Sequence, residues 1–205
     1  MYKRFVFSVF NQKNMNSNFY KILQNSKENH SIIAIYNDPE GDNFWAGYIL
    51  DFNDEFFTMQ HISKFGKKDG ILIEPYFKIS RIDVDDYCKC LNYLKEHHTD
   101  LDEENTVTFS ATSEDNWMNQ ILGEICNQTE YVSRLQFNNN SRFSGFVRNL
   151  TEDDFELKCI GSEGTDEGSL YFQIDDISSI RVNDLEARRR LFLYNYRRSI
   201  DFFDE

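Results

Sequence analysis

The sequence repeats itself. Displaced by 98 positions, residues 47–86 lie over residues 145–184 without a gap. Identical pairs include Gly47/Gly145, Phe57/Phe155, Ile62/Ile160, Gly66/Gly164, Gly70/Gly168 and Leu72/Leu170, then Ile79/Ile177, Ser80/Ser178, Ile82/Ile180, Val84/Val182 and Asp86/Asp184. Ile49/Val147 and Met59/Leu157 are close substitutions. The shared positions are turn glycines and alternating apolar residues, which specify a fold, rather than clustered carboxylates, histidines or nucleophiles. A period near 100 residues is too long for a solenoid repeat and suits a small domain. The expectation is two homologous domains, 1–98 and 99–205, each long enough to bury its own core.

The duplication is uneven in charge. The formal net charge is −13. Residues 1–100 hold 12 basic and 14 acidic side chains, and residues 101–205 hold 10 and 21. An acidic field repels phosphate backbones and anionic membranes unless a local basic patch overrides it. The N-terminal apolar stretch at 5–10 is broken by Ser8 and is too short for a secretory core. No run approaches a membrane span. Of Cys88, Cys90, Cys126 and Cys159, none repeats with the domain, and Cys159 matches His61. A disulfide framework would duplicate along with its fold, so the thiols are expected reduced and the protein cytoplasmic.

Each copy opens with a short alternating stretch (4–10 and 106–111) and continues through a polar turn into a helix. In the first copy Ser17 is a candidate N-cap, with Phe19, Ile22 and Leu23 at helical spacing. In the second, Thr112, Ser113, Glu114 and Asp115 resemble a capping box. Trp117, Ile121 and Ile125 are expected to line the buried face of that helix, with Met118 and Leu122 beside them.

Five short strands follow in each copy. The first is 32–36 or 132–137, and the second runs through Gly47 or Gly145. A shared glycine inside a strand pattern marks a bend or a close backbone approach. The third alternates Phe57, Met59, His61 and Phe155, Leu157, Cys159 with polar residues. Gly66 and Gly70, like Gly164 and Gly168, flank polar residues as in a hairpin loop needing positive φ. The fourth is 71–77 or 169–174. The fifth carries Ile82 and Val84, or Ile180 and Val182. A helix closes each copy. Asp85 or Asp86 is placed to cap the first, with Tyr87, Leu91 and Leu94 buried, and the second is rich in arginine.

A helix and then five bent strands, with a glycine in strand two, resembles the Sm-like fold, a small open SH3-like barrel. The resemblance implies an α+β, mostly β chain of two tandem five-stranded barrels, each preceded by an amphipathic helix. In Sm proteins an Asp and an Asn, six and ten residues after that glycine, help to bind RNA. Those positions hold Asn53 and Phe57, or Thr151 and Phe155. The family's Arg-Gly step near strand five reads Arg81-Ile82 and Ser179-Ile180, without the glycine. The resemblance therefore reaches the barrel, while the RNA-site residues are unmatched.

Side chains of chemical interest have structural readings that fit better. His61 and Cys159 share parity with core residues and are expected to fill the interior. Cys88-Lys89-Cys90 has one residue between its thiols, where a zinc knuckle needs two, and residues two apart on a helix do not face one another. His97 and His98 lie nearby without a counterpart in the second copy. Glu163, Asp166 and Glu167 lack calcium-loop spacing and read as a solvated hairpin. Asp83, Asp85 and Asp86 read as a strand end and cap. No phosphate-binding loop, nucleophile elbow, dinucleotide fingerprint or zinc-protease helix occurs. No cofactor, metal or enzymatic activity is expected.

The local anomaly is Arg188-Arg189-Arg190 followed by Arg197-Arg198 in the acidic half, interleaved with Phe192, Tyr194 and Tyr196. Arginines beside aromatics suit nucleic acid. The reading preferred, given 21 acidic residues in that half, is a terminal helix whose arginines pair with the acidic surface of its own domain. The function expected is binding or scaffolding, with a protein partner or self-association through barrel edge strands at 78–82 and 175–180. An RNA-associated role for the arginines is the alternative.

Overall fold

The computed structural model describes residues 17–102, 108–109 and 117–201. The alternating stretches at 4–10 and 106–111 and the capping box at 112–115 lie outside them, save Thr108 and Phe109, which are in neither helix nor strand. The chain divides into two compact units, Met1–His98 and Thr99–Glu205.

The first unit begins with α1 (Asn18–Asn29), capped by the Ser17 hydroxyl, which accepts the Tyr20 N–H at 3.1 Å. The strands are β1 (Ile33–Tyr36), β2 (Phe44–Phe52), β3 (Phe56–Ile62), β4 (Lys68–Pro75) and β5 (Arg81–Asp83). They form one antiparallel sheet in the order β4-β3-β2-β1-β5. α2 (Asp86–Asp102) follows. Its cap is Asp85, whose Oδ1 accepts the Cys88 N–H at 3.1 Å. His97 departs from helical geometry, with φ −120° and ψ 18°.

The second unit repeats this order with α3 (Trp117–Ile125), β6 (Ser133–Phe137), β7 (Arg142–Arg148), β8 (Asp154–Ile160), β9 (Asp166–Gln173), β10 (Ile177–Val182) and α4 (Leu185–Asp201). Its sheet order is β10-β6-β7-β8-β9. Read from the other edge, that is the order of the first. A single turn of 3-10 helix joins β4 to β5 (Tyr76–Lys78) and β9 to β10 (Ile174–Asp176).

The protein is thus mixed α+β, with two five-stranded antiparallel sheets and four helices among the described residues. β4 and β5 end one sheet, and β9 and β10 the other. Neither sheet closes on itself, so strand pairing gives an open sheet in place of a closed barrel. Short strands leave few residues to carry the pairing round; β5 has three residues, and all of them lie opposite β1.

Each sheet is covered on both faces, because alternate residues of a strand point to opposite sides. One face of the first sheet buries Ile33, Ile35, Ile49, Phe57 and Met59 against Leu23 of α1. The matching face of the second buries Leu135, Val147, Phe155, Leu157 and Cys159 against Leu122 and Ile125 of α3. On the opposite face of the second sheet, Phe146 and Ile160 pack on Ala187, Leu191 and Tyr194 of α4. In the first unit Lys95 of α2 lies over the Tyr48 ring, at the position equivalent to Phe146.

Two details depart from the alternation read in the sequence. The buried stripe of α3 is Met118, Leu122 and Ile125, while Trp117 is exposed. His61 does not join the core with Phe57 and Met59. The register shift with β4 between Gln60 and Ile62 does not account for this, since β8 and β9 have the same shift between Lys158 and Ile160 beside the buried Cys159. The His61 imidazole turns to the Asp69 carbonyl (3.2 Å) and lies edge-on to Trp45 (5.4 Å).

Candidate functional site

The shared glycines hold the architecture together. A Cβ on Gly47 would overlap the Gln60 carbonyl across the β2–β3 pair, and one on Gly145 would overlap the Lys158 carbonyl across β7–β8. Gly66 and Gly164 have φ of +80° and +72° and lie against the backbone of α2 at Leu94 and of α4 at Leu193. Gly70 and Gly168, also at positive φ, stand in open space. These six positions fix strand pairing, turn and helix docking in the same way in both copies.

The cysteines and acidic groups are tied into the same scaffold. All four cysteines are free. Burial pushes the Cys88 thiol up to about 12, and also raises that of Cys159, so both are thiols at neutral pH. Among the described residues no three or more His, Cys, Asp and Glu side chains group to hold a metal ion. Asp166 pairs with Lys158 at 2.7 Å, and Glu163 with Arg189 at 3.0 Å. No helix among the described residues is long and apolar enough to cross a membrane.

The arginines of α4 mostly face inward. Arg188 donates to the carbonyls of Leu101 (3.1 Å) and Asn183 (2.8 Å). Arg189 is 2% exposed and donates to the Ser162 carbonyl (2.6 Å) and to the Glu163 carboxylate. Arg190 donates to the Ile160 carbonyl (2.8 Å), and Arg197 to the Glu163 carbonyl (2.6 Å). Arg198 is exposed and lies over the Tyr194 ring at 5.7 Å. Tyr194 itself packs on Phe146.

Two surface features stand apart from this scaffold. The first is the outward side of edge strand β4. Ile71 is 62% exposed, Ile73 is 66% exposed, and Phe77 just beyond them is 82% exposed. The equivalent residues of the second unit are Ser169, Tyr171 and Asp175. Ser169 is hydrogen-bonded to Glu156. One copy therefore keeps an apolar edge where the other has a mostly polar one.

The second feature is a cleft of about 210 Å³ lined by Arg134, Arg142, Arg181 and Arg190, with Gln136, Ser144, Ser179, Leu135 and Phe143. Strand register brings its side chains together. Arg142 lies opposite Gln136, and Gln136 opposite Ser179; one step along, Ser144 lies opposite Arg134, and Arg134 opposite Arg181. Only Arg190 belongs to the arginine run noticed in the sequence. The other three are scattered over three strands, and no local motif announces them.

Comparison of the chain with protein-family models, with curated proteins and with solved structures found no match.

Proposed function

We propose that this is a non-enzymatic, cytoplasmic binding or scaffolding protein. It is built from two Sm-like units and takes hold of a protein partner by strand addition at a sheet edge. The observation that carries this reading is the β4 edge. An edge strand offers unpaired N–H and C=O groups to any chain that lies alongside, and soluble proteins normally blunt such edges with charge. Here the outward side chains are Ile71, Ile73 and Phe77, while the second unit carries Ser169, Tyr171 and Asp175 at the same places. Exposed apolar groups in a row mark an interaction surface. Main-chain pairing would supply the binding and the isoleucines the choice of partner, which is the usual division in strand addition.

The helix order, the five strands per unit and the strand-two glycine support the Sm-like assignment. In that family the fourth strand of one unit pairs with the fifth of the next. The α4 arginines bear on the alternative of an RNA-associated protein. Arg188, Arg189, Arg190 and Arg197 already donate to main-chain carbonyls, which favours the protein-binding reading.

The test is the double variant Ile71→Asp/Ile73→Asp. Both residues are mostly exposed, so folding is expected to be unchanged by circular dichroism. Burial of one such side chain stabilises by about 1.5–3 kcal/mol, so partner retention in a tagged pull-down should fall at least tenfold. Sedimentation of the purified protein shows whether a second copy is the partner. Equal retention of the same partners by the variant and the native chain would remove this reading.

A further inference from the structure

We propose that the arginine cleft of the second unit is a binding site for a small phosphate monoester. This goes beyond the strand-addition reading and does not depend on it.

The cleft lies on the face of β10, β6 and β7, with Arg190 reaching in from α4. Adjacent strands are about 4.8 Å apart, and same-face residues on one strand about 7 Å. The six sheet residues therefore form a grid of two rows and three columns. Arg142, Gln136 and Ser179 make one row, and Ser144, Arg134 and Arg181 the other. A water's share of liquid volume is about 30 Å³, so the cleft holds roughly seven waters, or one phosphate with a short organic stem.

Charge accounting selects the ligand. Arg134 is paired with Asp184 at 2.6 Å. Arg190 lies 3.6 Å from the Glu186 carboxylate, and its Nε is buried without a hydrogen-bond partner. Arg142 and Arg181 are exposed, and neither has an ion pair or hydrogen bond among the described residues. The Ser144 and Ser179 hydroxyls are likewise without protein partners there. The groove continues past Arg142 and Arg190 to Glu167, a third carboxylate near the four arginines after Asp184 and Glu186. Arg142 and Arg181 thus have no carboxylate within ion-pair distance among the described residues, four arginines outnumber the three nearby carboxylates, and a phosphate monoester carries about −1.5 to −2 at neutral pH. Arginine is suited to it because its planar fork meets two phosphate oxygens at once. Burial holds the Arg190 guanidinium below its usual range, with Arg134 and Arg189 adding to the effect and Glu186 opposing it. A bound anion would relieve that repulsion.

The surroundings argue against a polyanion. Outside the cleft, residues 101–205 are strongly acidic, so the neighbouring phosphates of a nucleic acid would be repelled. The first unit serves as an internal control. The same grid there holds Phe44, Tyr36 and Arg81 in one row and Ala46, Ala34 and Asp83 in the other, beneath Asn92. Its space is filled by the Tyr36–Phe44–Tyr87 ring contacts. Its single arginine, Arg81, stacks on Tyr36 and pairs with Asp83 at 3.2 Å.

The experiment is a titration of the full chain with glycerol 3-phosphate and with inorganic phosphate. Ionic strength is held constant with chloride, and backbone amide resonances are followed. Saturable shifts are expected at Ser144, Ser179 and Arg190, with none at Ala46, Arg81 and Asn92. Glycerol 3-phosphate should bind at least as well as the free anion. Affinity should fall below about pH 6 as the phosphate becomes a monoanion. Arg142→Gln/Arg181→Gln should weaken binding at least tenfold, with the rest of the spectrum unchanged. If that variant misfolds, the native-chain shift map still decides. The absence of saturable shifts over the millimolar range would overturn the proposal. So would tighter binding of a short single-stranded RNA or of a phosphoserine peptide at the same amides, or binding of inorganic phosphate alone.

Discussion

A methyl group at Gly47 has nowhere to go, because the Gln60 carbonyl occupies its place; at Gly145 the Lys158 carbonyl does the same. The obstacle is backbone, which cannot swing aside as a flexible side chain would. Gly47→Val and Gly145→Val should each destabilise by about 1–3 kcal/mol, the usual range for over-packing, read as a lower urea midpoint. This close approach was legible in the sequence, since a glycine repeated inside a strand pattern marks a bend or a place where another backbone comes near. The place of His61 was not. Its parity with Phe57 and Met59 pointed inward, but its imidazole turns to Asp69 and Trp45, while Cys159 at the same position, beside the same register shift, stays in the core. An imidazole has two polar ring nitrogens to satisfy where a free thiol behaves as a small hydrophobe, a difference that alternation does not record.

At the same scale, Glu156 carries a pH dependence. Its carboxylate accepts from Ser169 Oγ and Asn149 Nδ2. The Ser169 hydrogen bond is the main cause holding its pKa below the usual range, with Asn149 and the charges of Arg148 and Lys158 contributing. A depressed folded-state pKa favours folding where the carboxylate is ionised. The contribution is therefore complete above the ordinary glutamate pKa of about 4.3 and is lost as pH falls through the lower folded value. Glu156→Gln should reduce the loss of stability as pH falls below the ordinary glutamate pKa of about 4.3, relative to the native chain. Urea midpoints across that range measure it.

At the scale of elements, the closing helices α2 and α4 show two ways to dock on the same hairpin turn. Arg189 and Glu163 stand where the first unit has Leu91 and Phe65. Their ion pair at 3.0 Å replaces apolar side chains, and the Ser162 carbonyl takes a further guanidinium hydrogen. Removing one partner of a buried pair costs more than replacing both. Arg189→Leu should cost about 2 kcal/mol, below the roughly 3–5 of a fully buried pair because Glu163 is partly solvated. Arg189→Leu combined with Glu163→Phe should recover most of that loss. A double-mutant cycle by urea unfolding reads the coupling, and additive losses would show that the pair is not a unit. The sequence placed α4 and its arginines correctly along the chain. Acidic composition favoured pairing within their own domain over nucleic acid, but most of the partners are main-chain carbonyls rather than carboxylates, which composition does not reveal. In α3 Ile125 is buried as expected, but Met118 and Leu122 complete the stripe in place of Trp117 and Ile121. Adjacent apolar residues at 117–118 and 121–122 fit either face equally well, and only packing against Leu135 and Phe155 chooses between them.

For the whole molecule, duplication kept the scaffold and released the surfaces. Both units keep the helix-sheet-helix layering, the strand order and the six glycines. They part at the outward side of β4 and β9, apolar in one and mostly polar in the other. They part again at the grid beneath the closing helix, filled by aromatic rings in one and lined by arginines in the other. A repeated core with divergent surfaces fits two binding tasks carried by one chain.

By itself the sequence determined that the chain holds two homologous units, each with a helix, five short strands and a second helix, and where the glycines must stand. Those properties follow from local periodicity and turn chemistry, which act over a few residues. The tertiary structure alone decided which main-chain carbonyls the α4 arginines reach, and that Arg134, Arg142, Arg181 and Arg190 meet in one cleft. The reason is register. Which residues of separate strands lie side by side is set by the pairing of the whole sheet, and a one-residue slip would send every one of those side chains to the other face.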